Sequence, residues 1–201
     1  MESYEGKTPA LGDHQARELL NAPDAETLKG KRDRALLSTL LYHGLRREEL
    51  CTLLVRDITQ RRGVLHLRVH GKGGKIRYVP LHPGTAELIT EYVEALGHGG
   101  DPSSPIFRPV RNNVTGKLDE AMTADGVYWV VRRYAREIGV GDIEGLGVHS
   151  LRATAATNAL DHEADIAKVQ EWLGHASIAT TRLYDRRKLR PEDSPTFKVN
   201  Y

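Results

Sequence analysis

A tyrosine among cations near the C-terminal end of the chain is the residue best suited to covalent chemistry. Tyr184 follows His175 by nine positions, and five basic residues surround it: Arg182, Arg186, Arg187, Lys188 and Arg190. Nearby cations lower the pKa of a phenol and favour phenolate, the form that attacks phosphorus. This stretch alone leaves two interpretations open: a nucleophile toward a phosphate, or a buried tyrosine at the end of an amphipathic helix.

Charge is unevenly distributed along the chain, although its net value is small. The formal net charge of the 201 residues is only +2, which by itself indicates nothing about nucleic acid. The stretch from Thr59 to Ala86 contains no Asp or Glu but six cations: Arg61, Arg62, Arg68, Lys72, Lys75 and Arg77. Such a stretch is typical of a surface that faces phosphates, and equally of a solvated hairpin.

Composition sets the class of protein. With 39% hydrophobic residues, the chain is long enough for one core, which predicts one domain and a tail. The single cysteine, Cys51, cannot form an internal disulfide, which suits a reducing cytoplasm. No apolar run approaches the ~18 residues of a membrane span, and the polar, acidic N-terminus is not typical of a secretion signal, so we expect no membrane partner.

The hydrophobic pattern predicts a mostly helical α+β fold, with a small three-stranded antiparallel sheet on one side. After a loose leader over residues 1–12, with Asp13 as the first N-cap, the helices are predicted at 13–20, 29–42 (ended by Gly44), 45–50, 83–96, 124–138 (capped by Thr123), 148–160, 165–173 and 177–184. The strands are predicted at 55–58, 64–69 and 76–81, and residues 70–75 form a glycine-rich turn. Residues 196–201 alternate as an edge strand does.

Four motifs in this order carry a specific resemblance. The segments GLRREEL, GKGGKIRYVPL, HSLR and LGHASIATTRLY together resemble the tyrosine recombinase (phage integrase) family, over Leu11 to Asp185. The resemblance implies a catalytic domain over residues 1–187. In the tail, 188–201, Pro191 and Pro195 predict an extended segment that subunits can exchange. The N-terminal DNA-clamping domain of the family has no counterpart before the helix at Lys29. We therefore expect either a catalytic fragment or a shortened protein.

The resemblance also implies a role for each motif residue. Tyr184 would attack a DNA phosphodiester while Arg46 and Arg152 bind its two non-bridging oxygens. The other catalytic residues would be Lys72, which protonates the leaving 5′-oxygen, His149, which assists proton transfer at the tyrosine, and His175, which hydrogen-bonds the phosphate. Glu49 would orient His149 or brace an arginine. Further DNA contacts are predicted at Arg47, Arg68, Lys75, Arg77, Arg182 and Arg186.

The chemistry of phosphoryl transfer agrees with this set of side chains. Attack on a phosphodiester gathers negative charge on the non-bridging oxygens, and planar guanidinium groups meet that charge bidentately. Arginines would then do what a metal ion does in other phosphoryl transferases. No Cys/His spacing is typical of a zinc site. We therefore predict neither a metal nor a cofactor.

The resulting hypothesis is a site-specific recombinase that cleaves and rejoins double-stranded DNA through a 3′-phosphotyrosine. It would integrate or excise a mobile element as a tetramer on paired sites, and be a monomer without DNA. The resemblance implies a bacterial or phage-encoded protein that acts on the nucleoid in the cytoplasm. Two alternatives stay open: relaxation of DNA in the manner of a type IB topoisomerase, and an inactive DNA-binding or assembly module.

Overall fold

The computed structural model describes residues 8–112, 116–185 and Thr196, without the side chain of Lys72. The helices are α1 (Asp13–Asn21), α2 (Leu28–His43), α3 (Arg47–Cys51), α4 (Pro83–Leu96), α5 (Ala124–Glu137), α6 (Val148–Asp161), α7 (Ile166–Leu173) and α8 (Ile178–Arg182). The strands β1 (Ile58–Arg61), β2 (Val64–His70) and β3 (Ile76–Pro80) form an antiparallel sheet in the order β1-β2-β3. The predicted fold class is confirmed.

The first strand begins three residues later than predicted. Val55–Asp57 is a 3-10 turn, and β1 starts at Ile58, which pairs with Leu67. The buried carboxylate of Asp57 accepts the backbone N–H of Leu54 at 2.9 Å and the Nε of Arg68 at 2.8 Å. These bonds close a turn instead of extending the chain. The prediction of a strand over 55–58 was wrong because four alternating residues do not reveal such a side-chain bond.

Two helix ends show why the local sequence folds as it does. Thr123 caps α5 as predicted, with its hydroxyl accepting the backbone N–H of Gly126. The cap predicted at Asp13 was wrong, since Gly12 is the N-cap and Asp13 is already helical. The carboxylate of Asp13 instead accepts the side-chain amide of Asn158 at 2.7 Å.

Helix α2 is the centre of the main core. It packs against both α4 and α6, and its residues from Ala35 to Leu40 are all buried. The helix ends at Gly44, as predicted, in the left-handed region with φ 56°. The C-terminal end of α2 is therefore held close to α6.

A smaller apolar cluster joins α6 to the segment that carries Tyr184. Small side chains on α6 allow close packing, and the members of the cluster are Ala153, Ala156, Leu160, Val169, Leu173 and Tyr184. On the same helix, the hydroxyl of Thr154 accepts the backbone N–H of Leu11, a buried residue. The leader predicted over residues 1–12 is thus anchored by its last residues.

Two further expectations concern a membrane-spanning helix and the C-terminal tail. Among the described residues, no helix combines the length and apolar character that crossing a bilayer requires. The predicted tail over 188–201, with its edge strand, lies outside the described residues apart from Thr196, and so does Arg186.

Candidate active site

Arg152 lies at the centre of the candidate site and is almost completely buried. Its guanidinium donates from Nη1 to the carbonyl of Gly44 and from Nη2 to the carbonyl of Leu173, the latter at 2.7 Å. These carbonyls end α2 and α7, where backbone oxygens lack partners within the helix and carry partial negative charge. Burial, and after it the charge of Arg46, lower the pKa of Arg152 to about 10, so the group stays protonated at neutral pH.

Gly44 allows the ends of α2 and α7 to meet. A Cβ at this position would lie 2.7 Å from Cδ2 of Leu173, closer than real Cβ contacts, and φ is positive. A larger residue would strain the backbone at this positive φ and force the Leu173 side chain to shift beside the two carbonyls that orient Arg152.

Arg46 is held at the start of α3 by a carboxylate one turn later. Its backbone N–H donates to Oε2 of Glu49 and its Nη1 donates to Oε1, both at 2.8 Å. The side chain of Glu49 is 4% exposed, whereas that of Arg46 keeps 37% of its surface in solvent. Glu49 therefore braces an arginine, one of the two roles expected for it, and Arg46 remains open to a ligand.

Glu49 has a second partner that sequence reasoning did not identify. Arg77, on β3, donates from Nη1 to Oε1 at 2.7 Å and from Nη2 to Oε2 at 2.8 Å. Burial would raise the pKa of Glu49, but hydrogen bonds from Arg77 and Arg46 outweigh it and lower the pKa to about 2. The carboxylate is thus ionised throughout the physiological range.

The depressed pKa of Glu49 predicts a loss of stability in acid. The ordinary pKa is 4.5 and the folded value about 2, so the stabilisation is complete above pH 4.5 and disappears as the pH falls to about 2. It amounts to about 3 kcal/mol at most. Urea unfolding at pH 5.5 and 3.5 should show a smaller decrease in the free energy of unfolding for Glu49→Gln than for the wild type. The control Glu120→Gln removes an exposed carboxylate and should behave as wild type. An equal decrease in all three proteins would contradict the prediction.

Tyr184 is packed inside the same site. It is 2% exposed, its hydroxyl lies 3.5 Å from Nε2 of His149, and its ring centroid lies 5.9 Å from that of His175. The hydroxyl of Thr157, on α6, donates to its backbone carbonyl at 3.3 Å. The tyrosine therefore sits against the helix that carries both His149 and Arg152.

His175 presents one nitrogen to the site. Its Nδ1 lies 3.0 Å from the hydroxyl of Thr181, while its Nε2 is buried and has no hydrogen-bond partner within the described part of the chain. Burial first, and then the charges of Arg152, Arg46, His149 and Arg77, lower the pKa of His175 to about 4, so the imidazole is neutral at neutral pH. Buried polar atoms are rarely left unsatisfied. This nitrogen is therefore suited to bind a ligand that enters the site.

Five of the six predicted catalytic residues thus lie close together in the fold. The sixth is Lys72, whose side chain is not among those that the structure describes. The backbone of Lys72 begins a 3-10 turn, Lys72–Gly74, between β2 and β3, and the Gly71 N–H donates to the Lys75 carbonyl at 2.7 Å to close the loop. Its side chain lies outside the description. The catalytic roles stay predictions, but the required proximity of Arg46, His149, Arg152, His175 and Tyr184 is present.

The predicted DNA contacts fall into two groups. Arg68 and Arg77 are engaged within the protein, since Arg68 pairs with the buried Asp57 as Arg77 does with Glu49. Lys75 and Arg182 are exposed, and Arg47 is half-buried between Glu48 and Asp125. A groove of about 880 Å³ extends from Arg46 and Arg47 past Tyr128 and Arg132 to His149. Its lining carries the three arginines Arg46, Arg47 and Arg132 together with the acids Glu48, Asp142 and Glu144, so the positive charge is confined to part of the groove.

Among the described residues, no group of three or more His, Cys, Asp or Glu side chains is arranged to hold a metal ion.

The sequence is similar to one protein family and to curated proteins of that kind. The profile described as "Phage integrase family" matches residues 10–189. Tyrosine recombinase XerC of Pelobacter propionicus is 39% identical over 170 residues, which cover 85% of this chain and 52% of that protein. Tyrosine recombinase XerD of Vibrio cholerae is 35% identical over 177 residues, covering 87% and 55%. The chain thus spans about half the length of the curated relatives it matches.

The fold is also similar to that of a solved structure. The XerH site-specific recombinase, in a crystal structure of its post-cleavage complex with a palindromic difH substrate, superposes with a TM-score of 0.70. The two chains are 28% identical, and the match covers 88% of this chain and 49% of XerH. The similarity therefore extends to the arrangement of the elements that hold the candidate site.

Proposed function

The chain belongs to the phage integrase family, and we propose that it cleaves and rejoins DNA strands as the catalytic part of a site-specific recombinase. One observation carries the proposal: the Tyr184 hydroxyl lies 3.5 Å from Nε2 of His149, beside the buried guanidinium of Arg152. A phenol, a base and a fixed cation are the parts that nucleophilic attack on a phosphodiester needs. The names of the relatives, tyrosine recombinases XerC and XerD, support the same activity.

Cleavage follows from these groups with atoms and charges in balance. His149 accepts the phenolic proton, and the Tyr184 oxygen attacks phosphorus as the bond to the 5′-oxygen breaks. Arg46 and Arg152 bind the non-bridging oxygens, and the unpartnered Nε2 of His175 hydrogen-bonds one of them. The product is a 3′-phosphotyrosine and a free 5′-hydroxyl. The ester keeps the energy of the phosphodiester, so a second 5′-hydroxyl can reverse the reaction and reseal a strand.

The leaving 5′-oxygen must take up a proton. We propose that Lys72 donates it. The support is the sequence motif and the position of its backbone at the tip of the β2–β3 loop. Lysine serves as a general acid when its pKa matches the reaction.

Lys72→Ala should slow cleavage of ordinary DNA by about 10²- to 10⁴-fold, the usual contribution of a general acid. A substrate with a 5′-thiolate leaving group needs no proton, so its cleavage should be much less affected. Single-turnover rates on both substrates measure this difference, with Lys75→Ala as the matched lysine of the same loop. Equal losses on both substrates would remove Lys72 from the acid role.

Strand exchange requires more than one copy of the site. Joining a cleaved strand to a new partner needs a second cleaved duplex held beside the first, so we propose a tetramer on two paired DNA sites. The role in integrating or excising a mobile element stays a prediction.

Covalent capture tests the proposed function. Wild-type protein is mixed with nicked duplexes of random sequence, in which the short strand beyond the cleavage point diffuses away and prevents resealing. Complexes that survive denaturing detergent are recovered, and their DNA is sequenced. A covalent complex enriched in one sequence supports the proposal. DNA binding without any covalent complex would contradict it and favour an inert module.

A further inference from the structure

Arg77 is bound within the protein although it lies in the basic stretch from Thr59 to Ala86, which contains no Asp or Glu. Its two Nη atoms donate to the two carboxylate oxygens of Glu49 at 2.7 and 2.8 Å, and its Nε donates to the carbonyl of Trp172 at 3.2 Å. All three guanidinium nitrogens thus have protein acceptors. Only 16% of the side chain is exposed. The guanidinium thus links a buried carboxylate to the end of a helix within the protein.

We propose that Arg77 is a positioning residue for strand cleavage: it joins Glu49, Arg46, the end of α7 and the Lys72 loop into one arrangement. The proposal rests on the proposed function. It replaces the prediction that Arg77 contacts DNA.

The first connection passes through Glu49 to Arg46. Each carboxylate oxygen of Glu49 accepts one bond from Arg77 and one from Arg46. Without Arg77, the buried carboxylate would have only Arg46 to balance it. Arg46 would then be drawn toward Glu49 and away from the phosphate, because an uncompensated buried charge is costly.

The second connection is electrostatic. Arg46, Arg77 and Arg152 carry three positive charges against the single negative charge of Glu49, so this group has a net charge of +2. Attack of a phenolate on a phosphodiester concentrates two negative charges in the transition state. Arg77 therefore supplies half of the net charge that meets it, without touching the phosphate.

The third connection leads to α7. Arg77 binds the carbonyl of Trp172 and Arg152 binds that of Leu173, so two adjacent carbonyls at the end of one helix hold two arginines. A Cβ at Gly174 would lie 3.2 Å from Cδ of Arg77, and φ there is 68°. His175 follows directly. The contact between Arg77 and α7 thus fixes the backbone that leads into His175, whose ring is held in addition by Thr181.

The fourth connection leads to the loop that begins with Lys72. A Cβ at Gly71 would lie 3.7 Å from Nη1 of Arg77 and 3.8 Å from Oε1 of Glu49. The base of the loop therefore packs on the ion pair. Motion of Arg77 would displace the point from which Lys72 extends.

Two variants of Arg77 separate positioning from DNA contact. The substrate is the duplex recovered by covalent capture, and the readouts are the single-turnover cleavage rate at saturating DNA, the Kd and its dependence on salt. Arg77→Met should reduce the cleavage rate by about 10²-fold, the effect of misplacing reacting groups by about 1 Å. Kd should hardly change. Arg77→Lys should fall between, since lysine keeps the charge but cannot grip both oxygens.

A residue that contacts DNA would give the opposite result. Kd would weaken, the slope of log Kd against log salt would decrease by about 0.9, and the rate at saturation would stay at the wild-type value. That pattern would overturn the proposal.

Arg32 provides the matched control for a purely structural role. It is a buried arginine bound to the fully buried Asp33 near the start of α2, far along that helix from Gly44. Arg32→Met should lower the denaturant midpoint but leave the cleavage rate unchanged. A rate for Arg77→Met no lower than that of Arg32→Met would refute positioning while leaving the proposed function intact. A wild-type protein without any covalent complex would instead refute the proposed function, and the positioning claim with it.

Discussion

Replacing Tyr184 by phenylalanine is expected to abolish the covalent complex with DNA and to leave DNA affinity unchanged. The substitution removes one oxygen and keeps a ring of the same shape, so the packing against Ala153, Ala156 and Leu173 is preserved. In the proposed mechanism the phenolic oxygen of Tyr184 forms the bond to phosphorus, so its removal leaves the site without its nucleophile. Detergent-resistant complexes on the nicked duplex measure the effect directly.

The control for this prediction is another tyrosine. Tyr42 is 45% exposed and stacks on His82, with ring centroids 4.2 Å apart, outside the candidate site. Tyr42→Phe should form the covalent complex at the wild-type rate. If Tyr184→Phe also did so, the nucleophile would have to be a different residue.

Arg152→Lys is also expected to cause a large loss of cleavage rate. A single fixed donor to a developing oxyanion contributes about 10²- to 10³-fold in rate. Lysine carries its N–H donors on one nitrogen, whereas Arg152 reaches the carbonyls of Gly44 and Leu173 from two separate nitrogens, so lysine loses the planar arrangement that also presents donors to the phosphate. The single-turnover rate at saturating DNA should therefore decrease by about this factor, although the positive charge is kept.

Stability must be separated from catalysis for Arg152, since each helix-terminal carbonyl left unsatisfied costs about 1–3 kcal/mol. Rates are therefore compared at a temperature at which urea unfolding shows both proteins to be folded. Arg32→Lys, at a buried arginine outside the site, should lose stability but not rate. A folded Arg152→Lys protein with the wild-type cleavage rate would contradict the role assigned to the guanidinium.

The sequence allowed good prediction of features that depend on local patterns. Amphipathic periodicity and caps such as Thr123 located most helices to within one or two residues, and Gly44 marked the end of α2. The motif spacing also predicted that His149 and Arg152 share the start of α6. These features are set by residues a few positions apart, which periodicity and capping rules describe.

What the sequence did not reveal depends on contacts between distant residues. Arg77 and Glu49 are 28 positions apart, and no local pattern distinguishes a cation that braces a carboxylate from one that faces DNA. The same holds for Leu11, whose N–H finds the hydroxyl of Thr154 across the fold. The 3-10 turn before β1 was not predicted for a related reason, because it is closed by the buried side chain of Asp57.

The most direct test of the account is to locate the DNA on the trapped wild-type protein. The complex is digested with nuclease and protease, and the peptide that carries the nucleotide is sequenced by mass spectrometry. We expect a nucleotide linked through its 3′-phosphate to the phenolic oxygen of Tyr184. A nucleotide on any other residue, or one linked through a 5′-phosphate, would contradict it.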